Sequence, residues 1–385
     1  MTPTVPLKRV TRMAYGDSLA ADMRTEGEFP IVGSGGISGS HNAPNFRAPG
    51  IVIGRKGSYG SLHWVPTGGF AIDTAYYIDE RLTSADLRWL YYALHAVDLR
   101  SPSQDVGVPG LSREAAYDAS VPTPPPLKEQ RRIADFLDAE TSRIDRLAEL
   151  GERQVYLLRE RSEAIVAQFF GPGDGRREYR FRHLMESNPC YGVLVPKFAD
   201  VGVPLIRVSD LGKLDHDLVR LPRIEEGQAQ EYRRTCISPG DLLITVVGAT
   251  IGRCDVAPAE TAGFNVSRAL ARVKLAAGIS PQLIASWVRS RGFQIQAELA
   301  TSGAAAQPAL NMSDITHFTV WLPETHSGRR DLAYRVSTHE EENRRLLTAI
   351  GRKQSLVAER RQALITAAVT GQIDVSTASG RGIED

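Results

Sequence analysis

Cysteine is scarce in this chain. Cys190, Cys236 and Cys254 are the only three in 385 residues, too few and too widely spaced for a disulfide framework or a CxxC metal site. No apolar run approaches the roughly 18 residues needed to cross a bilayer. The opening MTPTVPLKRVTRM lacks the apolar core of a secretion signal. The expectation is a reduced, cytoplasmic protein without a bound metal. Neither charge sign is in excess: 46 Lys and Arg against 45 Asp and Glu leave +1. A protein resting on duplex phosphates usually carries a basic surplus. Many of the acids, however, fall on two long helical stretches, which leaves the remainder more basic than the total.

Catalytic patterns are missing as well. Eight histidines show no HExxH spacing, no GxSxG elbow is present, and no carboxylate-lysine cluster suits a nuclease metal. GSGGISG (residues 33–39) fits neither GxGxxG nor GxxxxGK[ST] and reads as a turn near a binding surface. NPCY (188–191) brushes the N-P-P-Y/F motif of methyltransferases that flip a base. It lacks the second proline, a preceding apolar strand and an upstream glycine-rich loop. The chain by itself is expected to be no enzyme.

What is present is a repeat. Pro124, Pro125 and Pro126 cannot lie inside a helix, so a helix starts after them and runs to the stop at Gly171-Pro172. Along it Leu137, Ile144, Gly151, Leu158 and Ile165 recur every seven residues, the seam of a helix that packs along another long helix. Phe136, Leu147, Leu150 and Val155 widen the stripe. Val336, Asn343, Ile350, Val357 and Leu364 repeat the spacing, each 199 residues on (336 − 137 = 199). ERSEAIVAQFFG reads against ERRQALITAAVT at the same offset, and Pro109-Gly110-Leu111 against Pro308-Ala309-Leu310. The chain is therefore a tandem duplication of a globular part followed by a long helix. Its expected divisions are 1–123, helix 124–171, 172–323, helix 324–371 and a short tail 372–385. Asn343 puts one polar group into an apolar seam, which fixes register at some cost in stability.

Within the first globular part, residues 29–44 suggest a strand entering a glycine-rich loop, and 50–65 a strand, a basic turn and a returning strand. Residues 69–79 suggest a further strand, and 84–99 a helix capped by Ser84. Residues 237–258 parallel 50–65, with Pro239-Gly240 matched to Pro49-Gly50 and Gly248 and Gly252 to Gly57 and Gly60. GRKGSYG (54–60) places two cations on a tight turn: Arg55 suits guanine or phosphate, Lys56 phosphate, and Tyr59 stacking. Its duplicate GATIGR (248–253) carries Thr250 and Arg253 instead. Two turns of one shape and different chemistry are what readers of different sequences would show. A solvated hairpin turn is the plainer alternative.

PPPLKEQRRIADFLD (124–138), ERRQALITAAVTGQID (359–374) and the duplicated plan together resemble the specificity subunit of type I restriction-modification systems. The resemblance covers essentially the whole chain. It departs from the family at the second helix entrance, where LPETHSGRRDLAYRVSTH lacks the proline run and the Glu129-Gln130 pair. It implies a mixed α/β fold with two target-recognition domains, joined by two long antiparallel helices as a coiled-coil spacer with pseudo-two-fold symmetry. Each domain would read one half of an interrupted double-stranded DNA site. Two modification (methyltransferase) subunits and the restriction (translocase/nuclease) subunits would be partners. S-adenosylmethionine, ATP and magnesium would belong to them and not to this chain. The DNA-contacting candidates are His41, Arg55, Lys56, Ser58, Tyr59, Thr74 and Tyr76 in the first part. In the second they are Arg207, Ser209, Asp210, Thr250, Arg253, Asn265, Ser267 and Arg268. A coiled-coil adaptor or anti-restriction decoy that binds protein is the alternative reading.

Overall fold

The structure, a computed structural model, describes residues 3–100, 110–214, 216, 218–302 and 308–375. Gly107–Pro109, Gly303–Gln307 and most of the expected tail lie outside these. Contacts divide the chain into two units, residues 1–152 with 351–385 and residues 153–350. The units are not consecutive in sequence. Each takes one head and part of each long helix.

The first unit contains β1 (Thr4–Pro6), β2 (Ala14–Tyr15), β3 (Phe29–Gly33), β4 (Gly36–His41), β5 (Gly50–Gly54), β6 (Leu62–Val65), β7 (Phe70–Ala71), β8 (Ala75–Asp79), α1 (Leu87–His95), α2 (Arg113–Asp118) and β9 (Ser120–Pro122). The helix α3 (Leu127–Phe169) leaves it. Strands order as β2-β8-β5-β6 and β4-β3-β7, with β1 on β9. Residues 36–41, expected as loop, complete a hairpin with β3. Residues 69–79 divide into two strands. The cap of α1 is Asp86, whose carboxylate accepts from the Arg88 and Trp89 amides, and not Ser84.

The second unit repeats this plan. It contains β10 (Arg176–Arg180), β11 (Cys190–Tyr191), β12 (Phe198–Ala199), β13 (Val203–Ile206), β14 (Arg223–Ile224), α4 (Glu226–Glu231), β15 (Leu242–Thr245), β16 (Cys254–Val256), β17 (Asn265–Val266), β18 (Leu270–Val273), α5 (Pro281–Val288), α6 (Arg291–Thr301), α7 (Met312–His317) and β19 (Thr319–Pro323), followed by α8 (His326–Val369). Strands order as β11-β18-β15-β16 and β12-β14-β13-β17, with β10 on β19. Parallel pairing occurs at equivalent places, β3 with β7 and β13 with β17.

The long helices begin at equivalent residues, since 326 − 127 = 199. Their entrances differ chemically. Pro126 accepts from the Glu129 and Gln130 amides, and the buried Gln130 side chain bonds the Pro125 carbonyl and the Asp86 amide. The second entrance replaces this with Thr325, whose hydroxyl accepts from the Gly328 amide. In the first unit early α3 lies on late α8: Leu137 shares a core with Ile365, Ala368 and Val369, and Arg361 bonds Asp145 at 2.8 Å. In the second, late α3 lies on early α8, with Phe169 and Val336 in one core and Ser162 bonded to His339 at 3.0 Å. The pair is therefore antiparallel. The heptad residues are buried or half-buried throughout. Leu147 and Leu150, expected to widen the seam, are instead about half exposed. Gly151 sits against Gln354, where a Cβ would come within 3.3 Å of that side chain.

His95 ends α1 beneath α8, and its backbone carbonyl accepts from Gln362. Burial, with Arg361 and Arg88 nearby, pushes its imidazole down to about 4 from 6.5. The folded state thus holds it neutral while the unfolded chain protonates it, so its contribution is complete above pH 6.5 and is lost as pH falls toward 4. We expect unfolding free energy to drop by up to about 3 kcal/mol across that window. Urea titrations of wild type and His95→Gln should show the slope flattened in the variant. Identical slopes would contradict the assignment.

Candidate nucleic-acid interface

The two heads can be aligned by hydrogen bonds alone. The Gly60 amide donates to Gly54 and the Gly252 amide to Thr245, while Leu111 donates to Arg55 and Leu310 to Val246. Arg55 therefore corresponds to Val246, Lys56 to Val247, and Gly57 and Gly60 to Gly248 and Gly252. All four glycines have positive φ, between 72° and 87°, which L-residues adopt only at a cost. The same register places Asp241, not Gly240, at the position of Gly50. It also pairs Ile72 with Ser267, since their amides donate to Val32 and Ile206, and hence Asp73 with Arg268.

In the first head one end of the sheets gathers the turn at Ser34, the turn 55–60, Asp73, Thr74, Tyr15 and Arg113. The Arg55 and Lys56 amides both donate to the Thr74 carbonyl, and the Ser34 amide reaches the Thr74 hydroxyl at 3.4 Å. The Arg55 guanidinium lies 5.0 Å from the Tyr15 ring centre and donates to the Asp73 carbonyl. Arg113 lies 4.8 Å from the same ring. Two guanidiniums thus flank one partly exposed tyrosine, an arrangement that holds cations in place without neutralising them. Lys56 and Ser58 are exposed beside them, and Tyr59 is half-buried.

Two candidates do not belong to this surface. Tyr76 is buried, its hydroxyl donates to the Leu111 carbonyl at 3.0 Å, and burial first, then Tyr15, pushes its phenol up to about 12. His41 lies at the opposite end of the β3–β4 hairpin, where its ring meets Phe70 edge-on. Tyr15 and Arg113 were missed by sequence reasoning. They lie far from residues 54–60 in the chain and carry no local motif.

In the second head Arg207, Ser209, Asp210, Ser267 and Arg268 come together where β13 and β17 end. The Ser267 amide donates to Ile206. Asp210 staples its own loop, accepting from the Arg207 amide at 2.8 Å and its guanidinium at 3.2 Å. Arg253 donates to the Leu211 carbonyl and so braces that loop, while Thr250 is exposed on the adjacent turn. Asn265 is buried and bonded to Thr235 and Tyr232, a structural role rather than a reading one. Arg268 is exposed. Cationic groups therefore sit at different places on one frame: the 55–56 turn in the first head, the 207 and 268 positions in the second.

Among the described residues, no group of three or more His, Cys, Asp or Glu is placed to hold a metal, and no helix is long and apolar enough to cross a membrane.

The carbonyl behind each turn is held by a tyrosine from a different strand: Tyr76 of β8 bonds Leu111, and Tyr191 of β11 bonds Leu310 at 2.9 Å. Removing either hydroxyl is expected to cost about 0.5–1.5 kcal/mol. Tyr76→Phe should cost more than Tyr191→Phe, because Tyr76 is 1% exposed and Tyr191 37%. Thermal unfolding of both variants checks the order, and the reverse order would refute it.

No protein-family model matches the chain. It is 25% identical over 354 residues to the type I restriction enzyme EcoBI specificity subunit of Escherichia coli, covering 82% of this chain and 74% of that protein. A structure solved for complex assembly and conformational transition of the type I R-M system superposes with a TM-score of 0.72 at 18% identity, over 97% of this chain and all of that one. The HsdS subunit from Thermoanaerobacter tengcongensis gives 0.52 at 18% identity, over 96% and 97%. In sequence the chain is similar to the specificity subunit of a type I restriction enzyme, and in fold it is similar to subunits solved from such systems.

Proposed function

We propose that this chain is the DNA-specificity subunit of a type I restriction-modification complex, each head reading one half of an interrupted site. The observation that carries this is the pair of heads with one hydrogen-bond frame and cations at different positions. A shared frame with relocated cations is how two surfaces read different bases in the same manner. A protein-binding adaptor would give no reason for the duplicated turns to diverge in this way.

α3 has 43 residues and α8 has 44, which at roughly 1.5 Å per residue is about 65 Å, longer than one turn of duplex at about 34 Å. Under this reading the unread gap in the target depends on that length. The helices also carry exposed leucines at equivalent places: Leu147 with Leu346 and Leu157 with Leu356, each pair 199 apart (346 − 147; 356 − 157). Two like apolar surfaces suit two copies of one modification subunit. Methyl transfer, with its S-adenosylmethionine, would then belong to that partner. ATP and magnesium would belong to the restriction subunits, and the chain itself contributes recognition without chemistry.

Two outcomes test the reading. Arg55→Ala should relax one base position of one half-site at a cost of about 1–3 kcal/mol, read by binding a library of duplexes to the complex with the methyltransferase subunit. A uniform loss across all sequences would make Arg55 a phosphate contact. Removing one heptad from both helices should shorten the gap and leave half-site sequences unchanged, read by mapping methylated sites. Altered half-sites at a constant gap would defeat the ruler.

A further inference from the structure

The second unit has a cavity of about 490 Å3 where α5 and α6 meet the helix pair. This lies in the range of about 300–1,000 Å3 typical of small-molecule sites. At the equivalent place in the first unit several of the corresponding side chains are buried. Counting from the caps Asp86 and Ser280, Tyr92 corresponds to Ser286 and His95 to Arg289. At the 199-residue offset Thr141 becomes Glu340, Ile144 becomes Asn343 and Asp145 becomes Arg344. In the first unit Tyr92 is 1% exposed and bonded to Asp138 and Thr141, and Ile144 is buried. The second copy has lost the aromatic ring and the isoleucine and gained polar groups around open space.

The chemistry of the walls is specific. Ser290, 6% exposed, precedes α6 as its N-cap, yet its hydroxyl bonds no amide of that helix and has no partner among the described residues. The Asn343 side-chain oxygen is likewise buried and unpartnered. An 11-residue helix thus points its positive end into the cavity beside a free hydroxyl. Arg289, Arg291 and Arg344 line the same space and outnumber Glu163 and Glu340. The ion pairs these arginines make, to Glu340, Glu298 and Glu341, are at least partly exposed and are exchanged at little cost for a better partner. Val166 and Leu347 supply apolar wall.

We propose that this cavity binds a small phosphate- or carboxylate-bearing molecule. Its anion sits at the start of α6 against Ser290 and the arginines, and a hydrogen-bond donor elsewhere on it meets the Asn343 oxygen. This reading is independent of DNA recognition by the heads. Bound there, the molecule would bridge head and helices within this unit and stiffen their junction.

The test is calorimetric titration of the full chain with AMP, inorganic phosphate and glutamate, and with putrescine as a cation. Binding is expected for AMP, weakened at least about tenfold in both Ser290→Ala and Asn343→Ile, the loss of a hydrogen bond to a charged or buried group. Asn343→Ile restores the residue type of the first copy. Should it disturb helix pairing, Ser290→Ala, which removes one oxygen, still decides. Binding of phosphate or glutamate alone at the same site, with the same sensitivity to Ser290→Ala, supports the anion assignment and narrows the ligand. Silence from all three anions up to about 10 mM, affinity unchanged in both variants, or a preference for putrescine would overturn it.

Discussion

The structure depends on the antiparallel seam between α3 and α8. Each long helix carries a narrow apolar stripe that must be covered, so neither is stable in water alone. Leu137 is fully buried in a core that Ile365 and Ala368 join from far along the chain. Phe169 and Val336 perform the corresponding closure in the second unit. Helical propensity contributes little here compared with tertiary packing of these faces. The seam therefore does two things: it completes both cores, and it makes each head continuous with a stiff helical segment.

Within the heads, duplication has conserved the backbone and released the side chains. Glycines with positive φ close both turns, and a tyrosine hydroxyl holds the same carbonyl behind each. The tyrosines come from different strands, Tyr76 of β8 and Tyr191 of β11, so the bond persisted while its donor changed. The cations moved in the same manner, from the turn at Arg55 and Lys56 to the strand ends at Arg207 and Arg268. A frame fixed by main-chain bonds tolerates such relocation because few of its bonds depend on what the turn displays.

Much of this was legible in the sequence, and the reasons are physical. The helices were readable because a seven-residue stripe persists over many turns, and a constant offset of 199 residues ties one to the other. The glycine pairs of the turns were readable because few other residues take their φ. The reading surface was harder. Tyr76 and Asn265 were taken for surface groups because a polar residue beside a turn looks the same whether its hydroxyl or amide meets solvent or a buried carbonyl. Tyr15 and Arg113 were overlooked because their grouping with Arg55 arises only when β2, the 54–60 turn and α2 converge. Asp86 displaced Ser84 as a cap by two residues, an ordinary error of boundary. The second helix entrance, without prolines, starts at the equivalent residue because Thr325 performs the capping by a hydroxyl.

The closure of the first unit by residues 351–375 has a consequence for synthesis. Leu137 and Ile133 leave the ribosome long before Ile365 and Val369 exist, so the first head waits with an open apolar flank while the entire second head is made. A message cut short between Ile350 and Ile365 yields a protein whose amino-terminal head is the one left open, since the second head already has Leu332 and Val336. Incomplete products would thus present that open apolar flank to cellular proteases.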